Sequence, residues 1–335
     1  MSTTGKSKLS AAHITVVGSY ATGLTMKVDR LPSKGETLLG TGYRVDYGGK
    51  GSNQAIGCAR LGAKVTFVAK VGKDSFGDGA LRLYGEQGID VAYVEQTREA
   101  PTGVGFIIVE SGSGHNCIAL DPGANELLTA ENVAAADSAL ASSAVVLTQL
   151  EIPVHAAEAA LTRARSHGAI AILNPAPVRP LPASFLRSVD ILTPNETEAK
   201  VLAGYAPSDS ITPEQVGREL ISRGVSTVII TLGEQGALMV TSTATTHVPA
   251  ISVTAADTTG AGDAFNAGLA TALGFGAGLE DAVRFAVVTG GLAVVKEGVV
   301  PALPSRDTVL NFYRQQHRTP PEWLESTRAA ERSAP

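Results

Sequence analysis

The chain has 335 residues, of which 44% are hydrophobic and 18% charged, as in an ordinary globular protein with a well-buried core. A formal net charge of −5 without a concentrated Lys/Arg run excludes a nucleic-acid partner. The sequence contains no apolar run of about 18 residues, so no membrane span is predicted. The polar N-terminus lacks the apolar segment of a secretory signal, and only Cys58 and Cys117 occur, so we expect a cytoplasmic protein without a disulfide or zinc site.

Short apolar runs rich in β-branched residues alternate along the chain with alanine-rich helical patterns. The predicted core strands are 14–17, 65–68, 145–147, 170–173, 191–192 and 228–231. The predicted helices are 53–61, 76–87, 130–141, 154–166, 213–223, 264–273 and 280–295. Strands that are apolar on both faces and alternate with helices indicate an α/β fold with a mostly parallel sheet covered on each side. Ligands of such sheets bind at the C-terminal ends of the strands.

A second pattern interrupts this alternation. The segments 25–29 and 38–47, and later 103–110 and 116–120, predict strand pairs joined by polar or glycine-rich turns. We expect them to form a small β lid, from about residues 25–49 and 102–120, that excludes water from a reacting group. Exposed apolar positions on the lid would also serve as a dimer surface.

The strands, helices and lid are predicted to form one domain. This domain spans residues 13–316 and includes the lid. Residues 1–12 are predicted to be disordered, and residues 317–335 to form a loose polar tail because they mix Pro, Glu, Arg and Ser.

The most informative motif is DTTGAGDAFN at 257–266. Gly260, Ala261 and Gly262 stand directly before Asp263, which opens a helical pattern. Such a turn leaves backbone amides unpaired at a helix N-terminus, where the helix dipole also favours an anion. Asp263 would take a proton from an attacking hydroxyl there. The structural alternative is an ordinary N-cap aspartate, which is common for this motif alone.

Two further motifs predict a pocket for a polar molecule. In GGKGSNQ at 48–54, the glycines permit close approach of a ligand and Asn53 offers a donor and an acceptor. Lys50 supplies a charge there or is simply a solvated turn lysine. Glu151 follows a buried strand, where it either accepts hydroxyl hydrogen bonds or caps the helix after Pro153.

Two strand-to-helix or strand-to-turn motifs predict a nucleotide site. In TPNETE at 193–198, Asn195 and Glu198 form a capping box, or Asn195 contacts a phosphate while Glu198 orders magnesium. TLGEQG at 231–236 is either a tight hairpin or a nucleotide-contacting loop. By contrast, GSYATG at 18–23 lacks the middle glycine of a dinucleotide fingerprint and the Lys-Ser/Thr of a P-loop, so it is a candidate wall of a substrate pocket.

The strings GGKGSNQA, NPAP, TPNETEA, TLGEQG and DTTGAGDAFNAG, taken in order, resemble the ribokinase-like (PfkB) family of ATP-dependent carbohydrate kinases over about residues 14–304. The resemblance implies a three-layer α/β sandwich with a mostly parallel central sheet and a β lid through which members often dimerise. It also implies transfer of the γ-phosphoryl group of ATP to a primary hydroxyl of a pentose or related polyol.

The resemblance further implies roles for individual residues. Asp263 would be the base, and the amides of Gly260, Ala261, Gly262 and Asp263 the anion hole. The sugar-binding positions would be Gly49, Lys50, Gly51, Asn53, Glu151 and Asp263. The nucleotide site would comprise Asn195, Thr231, Gly233, Gly236 and Gly262, with Glu198 organising Mg²⁺. A monovalent-cation loop, usually for K⁺, would map to Asp257, Thr259, Ala293, Lys296, Gly298 and Ala302.

The sequence departs from the family pattern at two places. Ala21 and Gly23 stand where the resemblance implies an Asn and an Asp that hold sugar hydroxyls, and each lost hydrogen bond to a charged group is worth about 1.5–3 kcal/mol. This argues against unmodified ribose and leaves open another sugar, a sugar acid, a nucleoside on which Tyr20 stacks, or a catalytically silent sugar-binding protein. Ala302 replaces a serine, which weakens the cation site while leaving its backbone ligands.

Overall fold

The structure, a computed structural model, describes residues 12–325. The strands are β1 (His13–Val17), β2 (Ala21–Val28), β3 (Thr41–Gly48), β4 (Lys64–Gly72), β5 (Asp90–Thr97), β6 (Val104–Glu110), β7 (Asn116–Asp121), β8 (Val145–Thr148), β9 (Ile170–Leu173), β10 (Ile191–Leu192), β11 (Thr227–Thr231), β12 (Ala237–Thr241) and β13 (Thr245–Val248). The helices are α1 (Lys50–Arg60), α2 (Ser75–Glu86), α3 (Ala130–Ala135), α4 (Asp137–Ser142), α5 (Val154–Ser166), α6 (Ala183–Leu186), α7 (Glu196–Leu202), α8 (Pro213–Ser222), α9 (Ala261–Gly274), α10 (Leu279–Ala293) and α11 (Arg306–Gln315).

A nine-stranded sheet forms the middle layer, in the order β13-β12-β11-β10-β9-β8-β1-β4-β5. Its strands pair in parallel from β11 to β5, and β12 and β13 add an antiparallel edge. Successive residues of a strand point to opposite faces of the sheet, and each face has its own hydrophobic core. Val145 and Leu147 pack in one core with α1, α9 and α10, while Val146 packs in the other with α5 and α8. The predicted α/β sandwich is confirmed.

A separate four-stranded sheet, in the order β3-β2-β6-β7, forms the predicted lid. The lid begins at Ala21, earlier than the predicted residue 25, because β2 follows almost directly from β1 and pairs with β3 and β6 along its length. Only β2 and β6 run parallel; the other lid pairs are antiparallel.

Several element bounds differ from prediction. The single helix predicted for 130–141 is two helices, α3 and α4, which meet at Ala136 (φ −90°, ψ 14°). The strand β12 is the second arm of the hairpin that was one alternative for TLGEQG. The strands β5 and β13 were not predicted, because their partly exposed positions give them no continuous apolar run. They lie toward the two edges of the sheet, where one face or one side meets solvent.

The loose tail predicted from 317 is wrong for residues 321–325. Residues 322–325 are helical, and Trp323, only 8% exposed, stacks on Phe275 with ring centroids 4.9 Å apart. Residues 1–11 and 326–335 lie outside the described residues, so the predictions for the two ends stay untested there; Ala12 is described and buried. Within residues 12–325, none of the helices has the length and apolar character needed to cross a bilayer.

Candidate active site

The residues singled out in the sequence meet at the C-terminal edge of the main sheet. Glu151 follows β8, Asn195 follows β10 and Thr231 ends β11, while α1 and α9 bring in Asn53 and Asp263 from one flanking layer. Strands of a parallel sheet deliver their following loops to one edge, which is why motifs far apart in sequence converge here.

Asp263 lies in the first turn of α9 and is only 5% exposed. Asn53 Nδ2 donates to its Oδ2 over 2.8 Å, and Gln54 Nε2 donates to its Oδ1 over 3.0 Å. Burial raises the pKa of Asp263, while the Lys50 charge and these two hydrogen bonds act in the opposite direction. The carboxylate is thus fixed in orientation and made more basic, as a general base requires.

A chain of buried amides behind Asp263 was not predicted from the sequence. Gln54 Nε2 donates both to Asp263 and to Asn174 Oδ1 (3.1 Å), and Gln54 Oε1 accepts from Gln149 Nε2 (2.5 Å). Asn174 Nδ2 in turn donates to the Thr193 carbonyl over 3.1 Å. The signal was available, since Gln54 and Asn174 are polar residues in the GGKGSNQA and NPAP strings. Their buried positions were visible only in three dimensions.

We expect Gln54→Met to shift the acidic limb of the pH profile of kcat/KM to higher pH. A base must be deprotonated to act, so in the role predicted for Asp263 the activity should fall as pH drops through its pKa. Losing a donor to the carboxylate raises that pKa further. We also expect kcat to fall about 10- to 100-fold from the lost orientation, in line with the 1.5–3 kcal/mol of a hydrogen bond to a charged group. Initial rates across pH measure both, with exposed Gln315→Met as control. An unmoved limb would remove Gln54 from this role.

The turn before α9 forms an open anion nest. Gly260 has φ +81°, and a β-carbon there would lie 2.6 Å from Val299 Cγ1, so only glycine fits. The Ala261 amide makes a long 3.3 Å bond to the Thr258 carbonyl, whereas no acceptor within residues 12–325 takes the amides of Gly262 or Asp263. These free amides and the helix dipole favour a negative charge beside Asp263.

The glycine-rich entry to α1 lies against Glu151. Glu151 Oε2 accepts from Ser19 Oγ (2.5 Å) and the Lys50 amide (2.8 Å), whereas the N-cap of α5 is Pro153, so the helix-capping alternative for Glu151 is wrong. Gly49 takes φ +89° at the N-cap of α1. A β-carbon on buried Gly51 would collide with the backbone of Gly18 and Ser19, so this glycine lets α1 approach β1. Contact of Gly49 and Gly51 with a sugar stays a prediction.

Lys50 is half-buried and is not a solvated turn lysine. Burial would lower its pKa, but the charges of Asp263, Glu151 and Glu198 together raise it. The ammonium group therefore stays protonated among three carboxylates at the mouth of the site.

A cavity of about 780 Å³ lies beside the nest and is lined by Asn195, Thr231, Gly233, Gly236 and Gly262 among others. Asn195 and Glu198 form the predicted capping box: Asn195 Oδ1 accepts from the Glu198 amide (2.8 Å) and Glu198 Oε2 from the Asn195 amide (2.9 Å). Burial also raises the pKa of Glu198. The 231–236 segment joins β11 to β12 as the predicted hairpin and also lines the cavity, while its contact with a nucleotide stays a prediction.

The predicted cation loop is assembled by Asp257. Its Oδ1 accepts from the Thr259 amide (2.9 Å) and its Oδ2 from the Gly298 amide (3.1 Å), which joins the two loops. Burial alone would raise the pKa of Asp257, but these hydrogen bonds and the nearby Arg44 charge lower it. Alanine side chains carry no oxygen and the Lys296 ammonium group has no acceptor, so any ligands from Ala293, Lys296 and Ala302 are backbone oxygens.

Tyr20 cannot stack on a base or sugar face. Its ring is 1% exposed and packs edge-on against Tyr84, with ring centroids 6.2 Å apart, and its hydroxyl pairs with Thr22 Oγ1. Burial raises the pKa of Tyr20 to about 12. Ala21 and Gly23 lie partly exposed in β2, where they leave room on the lid.

Comparison with known proteins places this site in a family. The model of the pfkB family carbohydrate kinases matches residues 11–306. The ribokinase of Haemophilus influenzae is 37% identical over 299 residues, covering 89% of this chain and 97% of its own, and a deoxyribokinase of Salmonella typhi is 35% identical, covering 87% and 95%. The structure of Arabidopsis thaliana ribokinase complexed with ribose and ATP superposes with a TM-score of 0.83 at 30% identity, covering 90% of this chain and 98% of that one.

Proposed function

The chain belongs to the pfkB family of carbohydrate kinases, and we propose that it transfers the γ-phosphoryl group of ATP to a primary hydroxyl of a pentose or related polyol. The observation that carries the proposal is the buried Asp263 carboxylate, held by Asn53 and Gln54 directly beside the unpaired amides of Gly262 and Asp263. The ribokinase and deoxyribokinase relatives support a pentose-like acceptor.

The residues of this chain would divide the reaction as follows. Asp263 accepts the proton of the acceptor hydroxyl as that oxygen attacks phosphorus and the bond to the leaving ADP breaks. The amides of Gly262 and Asp263 stabilise the developing negative charge at the N-terminus of α9, and Lys50 adds a positive charge nearby. The lid excludes water so that the phosphoryl group reaches the acceptor and not a water molecule.

The cofactor positions fit the groups that the family uses. The 780 Å³ cavity has room for a nucleotide beside Asn195 and the 231–236 turn. Glu198 keeps Oε1 outside the capping box and would order Mg²⁺ and its waters; Mg²⁺ is commonly held by one or two carboxylates together with substrate phosphates. Asp257 and the backbone oxygens of the joined loops would hold K⁺ weakly, because Ala302 brings no side-chain oxygen.

A panel of acceptors tests the proposal. With MgATP present, ADP release measured by a coupled assay should depend on a pentose or related polyol and rise when K⁺ is added. Stimulation only by nucleosides or sugar acids would favour the second candidate, a kinase for another acceptor, which Ala21 and Gly23 motivate. ATP binding without ADP release for any acceptor would favour a silent sugar-binding protein.

We further propose that the protein is a homodimer through the lid. Large apolar side chains are exposed there, including Tyr43, Val45 and Phe106, the last with 56% exposure. Light scattering after size exclusion should give the mass of two chains for the wild type and of one chain for Phe106→Glu. Val295→Glu, an exposed apolar site outside the lid, should leave the dimer intact. A wild-type monomer at micromolar concentration would contradict the dimer.

A further inference from the structure

One face of the lid carries an acid–base pair to which no role has been assigned. In the pairing of β2 with β3, Gly23 is the register partner of Asp46 and Thr25 that of Arg44. Side chains of directly opposed residues stand on the same face of a sheet. A β-carbon at position 23 would lie only 3.6 Å from Cβ of Asp46. Asp46 therefore stands directly beside the place that a side chain at position 23 would take.

Asp46 is held in position with one oxygen left over. Its Oδ2 accepts from Arg44 Nε over 2.7 Å and from the buried Thr25 hydroxyl over 3.3 Å. No donor among residues 12–325 reaches its Oδ1, and the side chain is partly exposed. A carboxylate that is held in place with one oxygen unpaired can accept hydrogen bonds from hydroxyl groups.

This face of the lid is directed toward the anion nest and Asp263. The strand β3 packs against the turn Val300–Ala302, next to Val299, which contacts the anion nest at Gly260. The Arg44 charge is close enough to Asp257, which leads into the nest, to contribute to its lowered pKa. At its C-terminal end, β3 runs through Gly49 into α1, whose Asn53 contacts Asp263.

The charges around this space favour an uncharged ligand. Arg44 is paired with Asp46 and lies near Asp257, and Lys50 lies near Asp263, Glu151 and Glu198. Both cations are therefore already offset by carboxylates, whereas a sugar acid would need a cation of its own to offset the cost of desolvating its charge.

We propose that Asp46 binds hydroxyls of the phosphoryl acceptor through Oδ1, positioned by Arg44 and Thr25, and that the acceptor is a neutral polyol. The inference rests on the proposed kinase function and names the class of substrate for the same site. In this arrangement the carboxylate missing at Gly23 is supplied from the neighbouring strand, so the departure at position 23 alters how a polyol is held without excluding one.

Binding and turnover are measured separately to test this. Thermal shift and titration calorimetry with D-ribose, 2-deoxy-D-ribose, ribitol and D-ribonate are compared for the wild type, Asp46→Ala and the control Asp29→Ala, an exposed lid carboxylate. We expect a neutral polyol to bind the wild type and the control, and Asp46→Ala to weaken that binding about 10- to 100-fold, the effect of one hydrogen bond to a charged group. The KM for ATP should be unchanged.

A second variant places a carboxylate at position 23 in exchange for the one at position 46. The nearest atom to a β-carbon at position 23 is Ile107 Cδ1 at 3.4 Å, an ordinary contact, so the backbone accepts a side chain there. Gly23→Asp/Asp46→Ala should recover part of the lost affinity, which a merely structural role of Asp46 would not allow.

The outcomes separate this inference from the proposed function. Equal polyol binding by wild type and Asp46→Ala, preference for D-ribonate, or no binding of any neutral polyol would overturn it. Polyol binding that depends on Asp46 without any ADP release would support it while contradicting the kinase assignment of the acceptor site.

Discussion

Asp263→Asn should lower kcat about 100- to 10,000-fold, the range expected for loss of a general base. The asparagine keeps the size of the side chain but cannot accept the proton of the acceptor hydroxyl. One of its two terminal atoms becomes a donor facing Asn53 or Gln54, so we also expect a loss of about 1–3 kcal/mol in the free energy of unfolding. Steady-state kinetics and urea unfolding measure the two effects separately.

Asp281→Asn provides the matched control, because Asp281 is an exposed acid in the first turn of α10, as Asp263 is a buried one in the first turn of α9. The control should retain wild-type kinetics. Near-normal turnover by Asp263→Asn would remove the base from the mechanism, whatever its stability.

Gly260→Ala should lower kcat about 100- to 1,000-fold, the effect of losing one donor of an oxyanion hole. The left-handed φ of +81° costs an L-residue about 1–2 kcal/mol, and the new methyl group would meet Val299 Cγ1. The turn must shift to relieve both, and the amides of Gly262 and Asp263 then point away from the phosphoryl group. The KM for the acceptor should change less than kcat.

Two companion variants locate the cause. Gly260→Ala/Val299→Ala removes the clash but not the backbone strain, so part of the rate should return. Gly278→Ala changes another N-cap glycine that has φ −60° and open space around it, and it should be silent. Wild-type kcat for Gly260→Ala would show that the nest is not needed.

The main sheet was predictable because its strands alternate with helices of clear periodicity, and the lid was predictable because strand pairs joined by polar or glycine-rich turns interrupt that alternation. The glycine- and acid-containing strings located the candidate site because parallel strands deliver their loops to one edge. Burial of Tyr20 was missed because an aromatic residue after a strand reads equally well as a ligand platform or as core. Trp323 shows the same limit: one aromatic residue in a polar tail gives no sign of the pocket formed by Phe275 and Phe285.

The contacts that orient Asp263 could not be predicted from the sequence. Gln54 and Gln149 are 95 residues apart, and nothing in their spacing reveals that their amides meet behind Asp263. The same holds for Asp46 and Gly23, whose neighbourhood is set by the register of β2 and β3. Positions at which the sequence departs from a family pattern are therefore best judged after the neighbouring strand has been placed beside them.

Product identification by ³¹P and ¹³C NMR tests the central claim most directly. The enzyme is incubated with MgATP and the neutral polyol that gives the fastest ADP release, and the phosphorylated carbon is assigned. We predict one phosphate ester on the primary hydroxyl, formed with one ADP per ester and about 100- to 10,000-fold more slowly by Asp263→Asn. Inorganic phosphate without an ester, or an ester formed at a wild-type rate by Asp263→Asn, would contradict phosphoryl transfer through Asp263.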